Sequence, residues 1–257
     1  MIMKIAYAGF DLMAPALETL GETNEIVRLF TCAVDGDFET NDRVIAFAKC
    51  RDIPYTTDRI AQDDIDDLIA GGCELLVSAG YYYRIPVDGR LPMVNIHPSL
   101  LPYGRGAWPM PLAILDDLPE TGVTVHKTEE SFDAGDILLQ RRFALTPDDT
   151  LESLMDTVNS LLPDMMRELT ADLSALWNGA RPQGEGVYQE EPQPENYLLT
   201  KDADPAFADR VLRAFWGFYT VYTDGDRVFR IRKGRAVSGD NSGETLPISG
   251  GYIKVLQ

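Results

Sequence analysis

The sequence contains few cysteines and histidines, and this scarcity excludes several kinds of site. Its three cysteines, Cys32, Cys50 and Cys73, lie far apart and include no CxxC pair. An odd number of dispersed thiols argues against both a disulfide framework and a clustered zinc site. The only histidines are His97 and His126. We therefore expect free thiols in a reducing compartment and no metal cofactor.

Basic charge is also scarce. The chain has 23 Lys and Arg residues against 41 Asp and Glu residues, a formal net charge of −18. Nucleic-acid-binding proteins neutralise phosphates with Lys and Arg, so we expect no nucleic-acid partner. The stretch Arg227–Arg235 (RVFRIRKGR) is either a local basic patch or a solvated hairpin face. We favour the second interpretation, because charge runs are usually surface features.

Long apolar runs are missing as well. Charges or prolines interrupt every hydrophobic segment before it reaches the roughly 20 residues needed to cross a bilayer. The N-terminal stretch MIMKIAYAGF runs directly into a strand pattern and lacks the features of a secretory signal. We therefore expect a cytoplasmic protein without a membrane partner.

Short apolar segments alternate with segments of helical periodicity. Strand patterns occur at 3–9, 26–31, 75–79, 93–96, 123–127 and 137–143, and helical patterns at 14–20, 42–51, 63–70 and after Pro109. This alternation predicts an α/β fold with a Rossmann-like, mostly parallel sheet and helices on both faces. An apolar stripe from Leu154 to Leu176 then predicts a long helix, and Pro163 is expected to kink it.

The length and composition allow a main domain and a smaller one. With 257 residues, 45% of them hydrophobic, the chain can form one sizeable core and a small second one. Residues 181–194 are rich in Gly, Pro, Gln and Glu, which is typical of a linker. We predict a catalytic domain over residues 1–185 and a small C-terminal α+β subdomain over residues 195–257. Aromatic residues around Trp216 belong to the second.

Polar side chains with catalytic potential follow the strand pattern at 93–96. Asn95 and His97 are two residues apart, so they point the same way at the carboxyl end of a strand, where open parallel sheets bind ligands. A second turn, FDAGD at 132–136, supplies Asp133 and Asp136. A lone histidine would be interpreted as structural. An Asn, a His and an Asp together can supply an oxyanion donor, a titratable group and an orienting anion.

Two longer stretches carry a resemblance to a known family. Residues 95–114 read NIHPSLLPYGRGAWPMPLAI and residues 120–140 read ETGVTVHKTEESFDAGDILLQ. This pair resembles the signature of the folate-dependent formyltransferases, which act on methionyl-tRNA, glycinamide ribonucleotide or sugars. The resemblance implies formyl transfer from 10-formyltetrahydrofolate, as co-substrate, to a primary amine. It also implies that Asn95, His97 and Asp133 are the catalytic residues.

The same resemblance implies binding residues. The segment GYYYRIP at 80–86 is similar to the family's pterin pocket. Folate contacts are expected from Tyr83, Arg84, Ile85, Pro86, Asp133 and Asp136. Substrate contacts are expected from Phe10, Tyr81, Tyr103, Arg105, Gly106, Trp108 and His126. We interpret His126 as structural or substrate-orienting rather than catalytic. Asp133 is expected to favour a protonated His97, which would stabilise charge on the formyl oxygen together with Asn95.

Several acceptor amines stay open. Gly9-Phe10-Asp11-Leu12 stands where glycinamide-ribonucleotide enzymes have a glycine-rich phosphate loop, and the acidic charge disfavours tRNA. We therefore expect a nucleotide-linked amino-sugar, a 4-amino-4,6-dideoxyhexose, as the small-molecule partner. The resemblance to the sugar formyltransferases also implies a homodimer, which the aromatic cluster around Trp216 would suit. The alternatives are an amino acid such as hydroxyornithine, a formyl-folate hydrolase, and a catalytically silent folate-binding module.

Overall fold

The computed structural model describes residues 2–34, 40–239 and 245–256. Its strands are β1 Lys4–Gly9, β2 Glu25–Phe30, β3 Tyr55–Thr56, β4 Leu75–Ala79, β5 Met93–His97, β6 Arg105–Gly106, β7 Glu120–Lys127, β8 Ile137–Ala144, β9 Tyr188–Gln189, β10 Leu198–Thr200, β11 Thr220–Thr223, β12 Val228–Ile231, β13 Gly234–Ser238, β14 Leu246–Ile248 and β15 Gly251–Val255. Its helices are α1 Ala14–Thr23, α2 Asp42–Cys50, α3 Gln62–Ala70, α4 Pro109–Leu115, α5 Leu151–Ala171, α6 Leu173–Asn178, α7 Pro194–Tyr197 and α8 Pro205–Ala214.

The chain forms two compact units. Unit 1 comprises Met1–Arg105, Gly122–Arg141 and Thr157–Val187, and unit 2 comprises Gly106–Thr121, Arg142–Asp156 and Tyr188–Gln257. The division into a catalytic domain over residues 1–185 and a subdomain over residues 195–257 stays a prediction.

The main sheet has seven strands in the order β3-β2-β1-β4-β5-β7-β8. Strands β1 to β5 pair in parallel, whereas β7 runs antiparallel to β5. The predicted α/β fold with a mostly parallel sheet is therefore confirmed. The strand order reverses between β1 and β4. In open α/β sheets, ligands bind outside the carboxyl ends of the strands at such a reversal.

The central strands β1 and β4 form the buried middle of the sheet. All five residues of β4 are buried, as are the last five residues of β1. Strands covered on both faces read as nearly continuous apolar runs, which explains the sequences IAYAG and LLVSA. A core cluster on this sheet contains Ala6, Ala8, Phe30, Ile60, Ile65, Leu68, Leu76, Ile85, Leu91 and Met93. Each buried Ile, Leu, Met or Phe side chain of this cluster contributes about 1.5–3 kcal/mol to folding.

The long helix ends differently from its prediction. The predicted stripe is buried at Leu154, Val158, Leu162, Met165 and Leu169. Pro163 lies inside α5, which continues to Ala171. The predicted kink at Pro163 stays a prediction, and α5 is interrupted at Asp172, whose side chain accepts a hydrogen bond from the backbone N–H of Ala175 at 3.0 Å. An aspartate in this position caps a new helix, and α6 begins at the next residue.

Unit 2 uses much of the aromatic cluster in its own packing. Phe215 and Tyr222 are buried, and the Trp216 Nε1–H donates to Glu152 at 2.9 Å. The homodimer that this cluster would suit stays a prediction. The basic stretch 227–235 forms β12 and the start of β13. Three of its cations pair with carboxylates: Arg227 with Asp224, Lys233 with Glu152, and Arg235 with Asp209.

The cysteines are free thiols: Cys32 is buried, Cys73 half-buried and Cys50 exposed. Within the described ranges, no three His, Cys, Asp or Glu side chains lie together as metal ligands would. No helix in this part of the chain combines the length and apolar character needed to cross a membrane.

Candidate active site

Strands β5 and β7 bring three polar side chains together. Asn95 of β5 stands directly opposite His126 of β7, and His97 stands opposite Thr124. Directly paired residues of antiparallel strands share a face of the sheet, and so do residues two apart on one strand. Asn95, His97 and His126 therefore lie on one face at the carboxyl end of β5, as the spacing predicted for Asn95 and His97.

Asp133 joins this group from the Asp133 turn (residues 128–136), which connects β7 to β8. Its Oδ1 lies 3.2 Å from Asn95 Nδ2, 3.5 Å from His97 Nδ1 and 3.4 Å from His126 Nε2. Asp133 has a φ of 52°, in the left-handed region that Asp and Asn tolerate better than most residues. Gly135 lets the turn close, because a Cβ there would collide with the Lys127 carbonyl. One carboxylate oxygen thus lies beside all three side chains.

The loop after β5 fixes the orientation of His97. Its Nε2 lies 2.6 Å from the carbonyl oxygen of Gly104. Because a carbonyl oxygen only accepts, Nε2 carries the hydrogen of the neutral ring, and Nδ1 faces Asp133. The neutral His97 ring therefore has its hydrogen on Nε2 and a free lone pair on Nδ1.

Side chains on β7 and β8 anchor that loop. The Thr124 hydroxyl donates to the Ser99 carbonyl at 2.7 Å, and Gln140 Nε2 donates to the Leu101 carbonyl at 3.0 Å and to the Thr124 hydroxyl at 2.9 Å. These bonds hold the loop down on the sheet. Gly104 is consequently kept within reach of His97.

Burial controls the charge of His97. The side chain is 5% exposed, and desolvation lowers its pKa below the ordinary value of 6.5. The Asp133 charge and the Gly104 hydrogen bond oppose this shift of the pKa without overcoming it. Asp133 favours the imidazolium, as expected, but desolvation outweighs the carboxylate in the ligand-free site at neutral pH. His97 is neutral there, and its Nδ1 can accept a proton.

His126 orients the amide of Asn95. His126 Nδ1 lies 2.8 Å from the Lys127 carbonyl, so it carries the ring hydrogen. Its Nε2 then accepts from Asn95 Nδ2 at 3.3 Å. Since His126 is only 2% exposed, its side chain is placed to position Asn95 rather than to meet a substrate directly.

The segment expected to bind folate touches the Asp133 turn. Arg84 Nη2 donates to the Glu130 carbonyl at 2.5 Å, and its guanidinium lies 5.3 Å from the centre of the Phe132 ring. The Arg59 guanidinium lies 4.3 Å from the centre of the Tyr83 ring. The two segments predicted to enclose the pterin therefore border each other.

Three other expected folate residues differ in what their side chains do. Ile85 is buried in the core cluster, so only its backbone is available to a ligand. Pro86 is half-buried at the surface. Asp136 forms an ion pair with Lys127 at 3.2 Å.

Two residues expected to bind substrate, Phe10 and Tyr81, take part in the packing of unit 1, and their substrate contacts stay a prediction. Phe10 is 1% exposed, and its ring centre lies 4.9 Å from that of Tyr82. The Tyr81 hydroxyl accepts from the Ile60 N–H at 3.1 Å, and burial raises the pKa of Tyr81 to about 12. Tyr82, in the segment 80–86, and Tyr103, in the loop after β5, are more exposed, at 45% and 36%.

The remaining expected substrate residues lie in both units. Arg105, in unit 1, binds the Gln183 side chain through Nε at 3.1 Å and Nη2 at 2.9 Å. Gly106 and Trp108 belong to unit 2. There Gly106 lies against the backbone of Gln189, and the Trp108 ring centre lies 5.3 Å from that of Phe218.

Gln183 contacts the Asp133 turn, which the sequence analysis did not predict. Its Nε2 donates to the carbonyl oxygens of Asp133 at 2.8 Å and Gly135 at 2.6 Å. The residue lies in the segment interpreted as a linker. A glutamine between proline and glycine has no periodicity or spacing that would signal this contact, which spans fifty residues of sequence.

A known family accounts for the stretch that carries this cluster. The sequence model described as formyl transferase matches residues 32–170, more than half of the chain. The chain belongs to the formyl transferase family. This assignment confirms the family resemblance, and the matched region contains Asn95, His97 and Asp133.

Individual formyl transferases resemble the chain to different extents. The methionyl-tRNA formyltransferase of Anaplasma marginale is 28% identical over 238 residues, 88% of this chain and 78% of that protein. The methionyl-tRNA formyltransferase of Parvibaculum lavamentivorans is 33% identical over 195 residues, 71% of this chain and 63% of that protein. The chain thus spans less than two thirds of this second relative.

A solved structure supports the fold over the whole chain. The N-formyltransferase of Helicobacter canadensis, crystallised with folinic acid and dTDP-3-aminofucose, matches with a TM-score of 0.72 and 17% identity. The match covers 99% of both chains. At this identity the likeness shows the fold alone, and it confirms the Rossmann-like formyl transferase architecture.

Proposed function

We propose that this formyl transferase moves the formyl group of 10-formyltetrahydrofolate to the amine of a nucleotide-linked amino-sugar. The observation that carries the proposal is the convergence of Asn95, His97 and Asp133 on one buried site, within the region that matches the family. The expected acceptor is a 4-amino-4,6-dideoxyhexose.

The reaction exchanges one C–N bond for another. Bound 10-formyltetrahydrofolate supplies the formyl carbon: the amine nitrogen bonds to it, its bond to N10 breaks, and a proton passes from the amine to N10. The protein must therefore stabilise negative charge on the formyl oxygen and handle that proton. Neither task needs a covalent bond to the enzyme.

His97 is suited to the proton and Asn95 to the oxygen. Neutral His97 holds an unprotonated Nδ1 facing Asp133, so it can accept the amine proton. The imidazolium that results is stabilised by the Asp133 carboxylate. The Asn95 amide is oriented by His126, and the N–H that it directs to Asp133 in the ligand-free site can turn to the formyl oxygen when the substrates are bound.

The segment at 80–86 and the Asp133 turn suit the folate. Tyr83, Arg84 and Pro86 would hold the pterin and its adjoining ring, because Arg84 bonds their segment to the turn that carries Asp133. Phe132, directly before Asp133, is 50% exposed and offers an apolar face. Aromatic side chains with an apolar body and an accessible face favour stacking on flat heterocycles.

A phosphate site at the start of α2 is disfavoured. Asp11 accepts hydrogen bonds from the Val44 N–H at 2.9 Å, the Arg43 N–H at 3.0 Å and the Thr40 hydroxyl at 2.7 Å. A phosphate there would have to displace a carboxylate from the helix N-terminus. The same Asp11 carboxylate belongs to the loop after β1, where glycinamide-ribonucleotide enzymes are expected to hold a phosphate, so it argues against glycinamide ribonucleotide as the acceptor.

The charge distribution argues against tRNA. The net charge is −18, and three cations of the basic stretch 227–235 are paired with carboxylates. A protein that binds the phosphates of RNA needs unpaired cations along a surface. The sequence relatives are methionyl-tRNA formyltransferases, so tRNA belongs in any test as the competing acceptor.

The acceptor is decided by a panel assay. The protein with 10-formyltetrahydrofolate is given dTDP- and GDP-linked 4-amino-4,6-dideoxyhexoses, dTDP-3-aminofucose, glycinamide ribonucleotide, methionyl-tRNA and hydroxyornithine. Formyl transfer is read as a mass gain of each acceptor. We expect efficient transfer only to the nucleotide-linked 4-amino-4,6-dideoxyhexoses, and preferential formylation of dTDP-3-aminofucose would keep the sugar assignment but overturn the position of the amine.

Other outcomes point to other functions. Preferential formylation of methionyl-tRNA or hydroxyornithine would overturn the sugar assignment and keep the catalytic roles. Loss of the formyl group without any amine would indicate a hydrolase. Absence of any consumption, together with folate binding, would indicate a silent binding module.

A further inference from the structure

The two ends of the Gln183 side chain face groups of opposite hydrogen-bonding type. Its Oε1 accepts from Arg105, which can only donate. Its Nε2 donates to the carbonyls of Asp133 and Gly135, which can only accept. Flipping the amide would place Nε2 against the Arg105 donors and Oε1 against the two carbonyl oxygens. The orientation of Gln183 is therefore fixed by chemistry.

These bonds connect three separate segments around Asp133. Arg105 follows the loop that ends at Gly104, the residue bound to His97. The Gln183 segment is itself held to β8, because Arg181 and Ile137 exchange backbone hydrogen bonds at 2.8 and 3.0 Å. Gln183 thus joins the Gly104 loop to the Asp133 turn. Through Arg105, the Gln183 side chain connects the two segments that set the surroundings of His97.

The geometry points to Gln183 as a positioning residue for catalysis, which keeps the Asp133 carboxylate beside His97 and Asn95. It acts through the backbone of the Asp133 turn and does not itself meet the reacting atoms. Asp133 adopts a left-handed backbone conformation, and two hydrogen bonds to the turn stabilise that conformation. This inference rests on the proposed function for its kinetic consequences only.

Two substitutions separate the effects of Gln183. Gln183→Glu keeps the size and the contact with Arg105 but turns a carboxylate oxygen toward two carbonyls. Gln183→Ala removes both contacts. Glu185→Gln is the matched control, because Glu185 is exposed on the same segment. We expect kcat to fall by about tenfold to a hundredfold in both Gln183 variants, with the KM of either substrate changed less than about twofold.

A double-variant cycle tests whether Gln183 acts through Asp133. If it does, Gln183→Ala should lower kcat much less when Asp133→Asn is already present, because the effects of coupled residues are not additive. Additive losses in the cycle would overturn the positioning role. Unchanged kcat in both Gln183 variants of an active enzyme would overturn it as well.

Histidine NMR provides a readout that needs no substrate. The chain contains two histidines, so selective ¹⁵N-histidine labelling yields the ring signals of His97 and His126 alone. We expect Gln183→Ala to shift the His97 signals and to lower its pKa further, since Asp133 raises that pKa. Glu185→Gln should leave the signals in place. An unaltered His97 spectrum in Gln183→Ala would refute the inference even if formyl transfer itself were disproved.

Discussion

Replacing Asp133 with Asn removes one charge from the site and leaves its shape. Asp133 has a φ of 52°, and Asn is the other common residue that tolerates this left-handed conformation. The turn should therefore keep its backbone. The Asp133 side chain is 10% exposed, so bulk water has little access to His97 and cannot solvate an imidazolium there in place of the lost carboxylate.

The magnitude follows from the separation of the two charges. At 3.5 Å and an effective dielectric constant of about 20, the attraction between an imidazolium and a carboxylate is about 4.7 kcal/mol. Since about 1.4 kcal/mol corresponds to a factor of ten, its complete loss would slow the reaction by about three orders of magnitude. The amide dipole and local rearrangement should recover part of this. We expect kcat to fall by about a hundredfold to a thousandfold.

The assay is the steady-state rate of amine formylation, with thermal unfolding measured in parallel. Glu129→Gln is the matched control, because Glu129 is an exposed acid in the same turn. The control should keep its rate, and Asp133→Asn should unfold within a few degrees of the unsubstituted protein. A kcat within about fivefold of the original, in a folded Asp133→Asn protein, would refute the electrostatic role.

Three further predictions concern His97, Asn95 and the folate. Because burial lowers the pKa of His97 in the ligand-free protein, the acid limb of kcat/KM should lie below pH 6.5. The unfolded state takes up the His97 proton first, so His97 should also lower stability as pH falls below 6.5. Urea unfolding of His97→Gln across this range should show a weaker pH dependence, and an equal dependence would disprove the shift. Asn95→Ala should lose about 2.7–4 kcal/mol of transition-state stabilisation in kcat/KM, whereas a loss confined to folate affinity would make Asn95 a binding residue. Folinic acid at about 100 times its Kd should stabilise the fold by about 2.7 kcal/mol in thermal unfolding, and no shift at high concentration would count against a folate site.

Local patterns were enough to predict the fold class and the three candidate catalytic residues. The period-two spacing of Asn95 and His97 on a short apolar strand is enough to place them on one face at its end. The alternation of strand and helix patterns is enough for a mostly parallel sheet, because each apolar segment must be covered. The FDAGD turn is a local motif that holds Asp133. These inferences depend on residues that are close in sequence.

Burial decided what the local patterns left open. Phe10, Tyr81 and Ile85 match the expected binding segments, yet their side chains are buried or bonded inside unit 1. The charge of His97 depends on the balance between desolvation and the Asp133 carboxylate, and neither quantity is visible in a spacing. Composition alone cannot state how deeply one side chain lies.

Contacts between distant segments were also decided only by the folded chain. Gln183 lies in a stretch whose composition is typical of a linker, yet its amide binds the turn that carries Asp133. The interruption of the long helix falls at Asp172 because an aspartate cap competes with helix continuation, whereas Pro163 is accommodated inside α5. Periodicity reports on which side chains share a face within a few turns. It carries no information on which carbonyl groups a side chain will meet fifty residues away, because that depends on the path of the whole backbone.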